Sequence, residues 1–200
     1  MAKSTQRKAK EHRVTAETDV AVEIDVDGSG KTEIETGIAF LDHMLTLFGK
    51  HALLDLTVKA RGDIEVDYHH TVEDVGIVLG KVLREALGTK EGINRYGWCL
   101  LPMDETLARV ALDFSGRAYL QFDVPGQPGP VRDFEFSLVE EFWRGFTHNA
   151  ACNLHAAVLY GRDSHHMAEA LFKGVAKCVL QAATLNPRVE GVLSTKETLS

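Results

Sequence analysis

Two hundred residues suffice for one compact domain, or for two half-domains that share a core. With 44% hydrophobic residues, 26% charged residues and a formal charge of −7, the composition is that of a globular protein and argues against nucleic acid or an anionic membrane as the main partner. The three cysteines (Cys99, Cys152, Cys178) form no CxxC pair and no disulfide framework, residues 1–10 lack the apolar centre of a secretory signal, and the apolar stretch 75–82 is too short to span a bilayer, so the expectation is a soluble, cytoplasmic protein.

Alternating apolar residues predict strands over 13–18 and 20–26, and a third over 32–36 after the Asp27-Gly28-Ser29-Gly30 turn. Residues 38–50 carry Phe40, Leu41, Met44, Leu45 and Phe48 at helical spacing. Residues 53–60 alternate as a strand, and 71–87 form a helix with Asp67 as N-cap and Gly88 as stop. After a connector at 89–97 the series resumes with strands at 107–114 and 118–124 and a Gly/Pro-rich loop at 125–130. A helix at 138–151, a strand at 153–160 and a helix at 166–183 follow, and from Leu185 the chain is a polar tail. Gly28-Ser29-Gly30-Lys31-Thr32 resembles the end of a P-loop, but Asp25 stands where that motif needs glycine and a strand, not a helix, comes next. It reads as a hairpin turn.

The order strands, helix, strand, helix occurs twice. A shift of 96 residues lays Asp67-Tyr68-His69-His70-Thr71-Val72-Glu73 on Asp163-Ser164-His165-His166-Met167-Ala168-Glu169. The expected fold is therefore α+β, an internal duplication of two half-domains packed as one unit. The divisions are 1–92, 93–184, and a tail at 185–200.

On a helix, His69 and Glu73 share a face, as do His70 and Glu73. Adjacent histidines point roughly 100° apart, so a pair cannot readily chelate one ion, and two HHxxE copies suggest two ions that each draw on both repeats. Imidazole and carboxylate without thiolate suit manganese, iron or zinc. For one copy the competing reading is a solvated polar first turn; two copies in register favour ligation. His43, on the preceding helix, is a further candidate ligand. Its counterpart in the second half is Glu141, ranked above His148, which has no counterpart in the first half.

Phe40-Leu41-Asp42-His43-Met44-Leu45, the segment from Asp67 to Asp74, Leu154-His155, His165-His166-x-x-Glu169 and Ser194-Thr195-Lys196 resemble the imidazoleglycerol-phosphate dehydratases, from about residue 13 to 196. The resemblance implies dehydration of imidazoleglycerol phosphate to imidazoleacetol phosphate in histidine biosynthesis, with a pair of Mn²⁺ ions per active site acting as Lewis acids. It implies trimers that assemble into a shell of 24 chains, with active sites at subunit contacts. His43, His69, His70, Glu73, Glu141, His165, His166 and Glu169 become the metal ligands. Arg95, Arg117, Lys173, Ser194 and Lys196 become the phosphate binders, and Glu17 the substrate-side carboxylate that takes a carbon-bound proton. Two positions depart from the family's pattern: Glu141 where histidine is expected, and Leu47 where glutamine is expected. A di-metal hydrolase and a metal-storage shell use similar residues, but ferritin-like bundles carry Glu-x-x-His on long uninterrupted helices, the reverse of the order here.

Overall fold

The computed structural model describes residues 7–199. Residues 1–6 of the basic N-terminal stretch and residue 200 of the tail lie outside the described residues. The first half contains β1 (Lys8–Val14), β2 (Thr18–Asp25), β3 (Thr32–Glu35), α1 (Ala39–Ala52), β4 (Asp55–Gly62) and α2 (His69–Leu87). The second contains β5 (Tyr96–Met103), β6 (Thr106–Asp113), β7 (Tyr119–Asp123), α3 (Ser137–Ala150), β8 (Asn153–Tyr160) and α4 (Ser164–Ala183). Each half has one four-stranded sheet, ordered β1-β2-β4-β3 and β5-β6-β8-β7. The pairings are antiparallel except β3 with β4 and β7 with β8, which are parallel because α1 and α3 return the chain between them. The expected α+β duplication is what the chain builds.

One face of each sheet supplies the core. Val20, Val22 and Ile24 of β2, and Ala108, Val110 and Leu112 of β6, turn inward at every second position. The helices then pack across the halves, α1 on α4 and α2 on α3. Phe48, Phe142, Trp143, Phe146 and Phe172 fill the centre, with Trp143 and Phe172 ring centroids 4.7 Å apart. At the α2–α3 crossing the backbones nearly touch: a Cβ on Gly76 would stand 2.5 Å from the Phe142 carbonyl oxygen, and one on Gly80 would collide with that of Phe146. Among the described residues no helix is long and apolar enough to cross a membrane.

Boundaries differ from the sequence expectations where burial is one-sided. The strand expected at 13–18 is really the end of β1, a turn and the start of β2. Thr15 Oγ1 accepts the backbone N–H groups of Glu17 and Thr18 and closes that turn. β1 is an edge strand with no buried residue, so Lys8, Lys10, Glu11 and Arg13 hide its alternation. β5 was absent from the expectations altogether. It too is an edge strand, which is why Pro102 is tolerated in it and why Trp98 and Leu100 stand exposed. Both HHxxE helices begin two residues early: Asp163 caps α4 and its Oδ1 accepts the His165 N–H at 2.8 Å, whereas the N-cap of α2 is Tyr68 and not the expected Asp67, whose Oδ1 accepts the His69 N–H at 2.7 Å from one position further out.

Candidate metal centre

The α1–α4 contact brings together residues from opposite halves. His43 of α1 lies with its Nε2 2.8 Å from Glu169 Oε1, and His165 Nε2 is 3.2 Å from the same oxygen. One ligand atom from each of His43, His165 and Glu169 fits within 4.8 Å of the others. Lys173, one turn further along α4, ion-pairs with Glu169 Oε2. Burial pushes the Glu169 carboxyl up, but the hydrogen bonds from Lys173, His43 and His165 outweigh it and hold the pKa at about 2. Two imidazole nitrogens and a carboxylate whose charged form is favoured, with no thiolate in the group, suit a divalent first-row ion.

The first-half motif is more open. His69 Nε2 and Glu73 Oε2 are 3.9 Å apart, and no third ligating side chain joins them among the described residues. Glu141 is not drawn into a cluster: its Oε2 lies 3.5 Å from Arg144 Nε. His148 sits in the last turn of α3.

The second histidine of each pair turns away from the first. The ring centroids lie 6.2 Å apart for His69 and His70 and 6.3 Å apart for His165 and His166, on side chains that leave the helix roughly 100° apart. His70 Nδ1 lies 3.0 Å from Asp63 Oδ2, and His166 Nδ1 lies 2.7 Å from Glu105 Oε2. Those carboxylates raise the pKa of both imidazoles, although burial opposes the shift. Glu105 is itself held well below the usual carboxylate range by the Asp163 N–H, His166 and the Arg162 N–H. An imidazole whose Nδ1 is occupied by a carboxylate presents Nε2 as its donor, the arrangement that orients metal-bound histidines. Asp63 and Glu105 carry no sequence signal that singles them out. The carboxylates opposite the two Nε2 atoms are Glu17, in the β1–β2 turn at 3.9 Å from His70, and Asp104, in the β5–β6 turn at 3.8 Å from His166.

The basic residues gather at the other end of α4. Arg95, Arg117, Ser194 and Lys196 line one cavity of about 780 Å³, together with Arg188, which the sequence reading missed because the tail has no pattern. Arg95 Nε and Nη2 reach Asp113 at 2.7 and 3.1 Å, and Nη1 donates to the Leu193 carbonyl at 2.7 Å. All three guanidinium nitrogens are therefore engaged, which fixes the side chain at the cavity wall. Lys173 is not among the lining residues; it stays at the Glu169 end. The Arg95 backbone N–H donates to the Ala182 carbonyl, so Arg95 is anchored roughly 20 Å along α4 from Glu169 at ~1.5 Å per residue.

The family model described as imidazoleglycerol-phosphate dehydratase matches residues 36–179. The imidazoleglycerol-phosphate dehydratase of Clostridium novyi is 51% identical over 192 residues, covering 96% of this chain and 98% of its own. That of Akkermansia muciniphila is 55% identical over 192 residues, covering 95% and 98%. The crystal structure of the Staphylococcus aureus imidazoleglycerol-phosphate dehydratase superposes with a TM-score of 0.81 at 39% identity, covering 90% of this chain and 99% of that one. IGPD from Pyrococcus furiosus, in complex with (S)-C348, gives 0.81 at 37% identity, covering 94% and 100%.

Proposed function

Because the chain belongs to the imidazoleglycerol-phosphate dehydratase family, a dehydratase family of histidine biosynthesis, we propose that it converts imidazoleglycerol phosphate to imidazoleacetol phosphate with two Mn²⁺ ions per active site. The observation that carries the metal requirement is the His43–His165–Glu169 cluster, assembled from both halves around one ionised carboxylate. Bound Mn²⁺ would supply Lewis acidity towards the substrate's ring nitrogens. His69 and Glu73, with Glu141 or another donor, would hold the second ion. His70 and His166, presented by Asp63 and Glu105, are aimed away from the clusters of their own chain and would serve a neighbour's.

The substrate is short, on the order of 9 Å from ring to phosphate by ordinary bond lengths. Within one protomer the metal cluster and the arginine cavity lie about twice that far apart along α4. A working site would then take the metal end of one copy and the arginine cavity of another, which supports a homo-oligomer; the size, 24 chains built from trimers, is what the family resemblance implies. Arg95, Arg117, Ser194 and Lys196 would grip the phosphate from the cavity, with Lys173 reaching it from the metal end. Glu17, exposed in its turn beside His70, would take the carbon-bound proton at its carboxylate. The free thiols of Cys99, Cys152 and Cys178 suit the cytoplasm as the compartment.

The test is turnover of imidazoleglycerol phosphate by metal-stripped protein, with and without added Mn²⁺. Recovery of activity at close to two bound ions per chain supports the reading. Full activity of the stripped protein, or no activity when loaded, overturns it.

A further inference from the structure

Two of the three cysteines meet outside the site. Cys99, on the inward side of β5, and Cys178, in the second half of α4, lie with their sulfurs 3.9 Å apart. They can come this close because β5 and α4 have glycine where the sheet meets the helix: a Cβ on Gly97 would collide with the backbone of Cys178, and one on Gly174 would stand 2.7 Å from Val110 of β6. Cys178 is fully buried, whereas Cys99 is only partly so and is reachable by a small reagent.

We propose that Cys99 and Cys178 are a modification site, a dithiol that hydrogen peroxide converts to an intramolecular disulfide tying β5 to α4. The Cys99 sulfur, having lost its proton to solvent, attacks one peroxide oxygen, and the O–O bond breaks to give a sulfenic acid and hydroxide, which takes up that proton as water. The Cys178 sulfur then attacks the Cys99 sulfur, an S–S bond forms, and the sulfenic hydroxyl leaves with the Cys178 proton as a second water. Two thiols are oxidised and one peroxide is reduced. The order follows from the surroundings. The Cys178 thiol donates to Cys99 and, although burial opposes it, holds Cys99 below the ordinary thiol range, with Lys177 adding to the effect. Cys178, fully buried beside it, is shielded from the oxidant and waits as the resolving partner. Cys152 is fully buried just after α3 and is not one of the paired sulfurs.

The experiment treats the full-length protein with hydrogen peroxide, unfolds it in an alkylating reagent and reads the intact mass. The expected result is a fall from three alkylated cysteines to one, reversed by dithiothreitol, with a Cys99–Cys178 peptide on digestion. Cys99→Ser should keep Cys178 and Cys152 alkylatable at the same peroxide dose, and Cys178→Ala should leave Cys99 to accumulate sulfinic acid. Circular dichroism of each variant checks that it is folded, and the parent's own peptide map needs no variant. Three alkylated cysteines after treatment, a disulfide involving Cys152, or a link between two chains would overturn the proposal.

Discussion

Glu73 and Glu169 hold equivalent places in the two halves but lie in different surroundings. The Glu169 side chain is 8% exposed beneath His43, His165 and Lys173, whereas that of Glu73 is 45% exposed. If each holds one of two cooperating ions, Glu73→Gln and Glu169→Gln should each abolish most turnover, and the double variant should lose little more, because residues of one catalytic unit are non-additive. Were both glutamates only helix-end charges, each would contribute ~0.3–1 kcal/mol of stability and activity would survive. Steady-state kinetics beside thermal unfolding separates the outcomes. The acid limb of stability is a second expectation. The folded Glu169 carboxyl is depressed from its ordinary 4.5 to about 2, so its contribution is fully present above about 4.5 and is lost as the pH falls through about 2. In metal-free protein the gap in unfolding midpoint between the parent and Glu169→Gln should therefore shrink across that window; a gap that stays constant would show that Glu169 does not titrate there.

Among the elements, the α2–α3 crossing leaves no room for an added methyl. A methyl at Gly80 meets backbone rather than a movable side chain, with the Ala150 nitrogen 2.9 Å away as well as the Phe146 carbonyl. Gly80→Ala should move the helices apart and destabilise the fold by about 1–3 kcal/mol, seen as a lower denaturant midpoint at unchanged slope. An unchanged midpoint would mean that the helices slide without cost. Helix content was legible in the chain because Phe40, Leu41, Met44, Leu45 and Phe48 repeat at helical spacing against a core that reads them. β1 and β5 were not legible, since an edge strand is specified by its neighbour's hydrogen bonds more than by its own pattern. The same asymmetry governs the candidate site. The HHxxE copies announced themselves by spacing, and His43 by its place on α1. Asp63, Glu105 and Asp113 did not, because an acid that orients a ligand from a turn or a strand end is set by tertiary contact alone.

For the whole molecule, the distance along α4 between Glu169 and the Arg95 cavity decides how sites can be shared. Glu169→Gln chains supply sound arginine cavities, and Arg95→Ala chains supply sound metal clusters. Co-refolding the two inactive variants should restore a measurable part of the parental turnover, as mixed contacts regenerate intact sites. If each chain were self-sufficient, the mixture would remain as inactive as its parts. This spacing also has a genetic meaning. If sites are shared between copies as proposed, a copy damaged at both ends of α4 would spoil two sites, one through its metal ligands and one through its cavity. In a cell making sound and damaged chains equally, intact sites would fall to about a quarter rather than a half. A loss-of-function allele would then act as a partial dominant, set by the length of one helix.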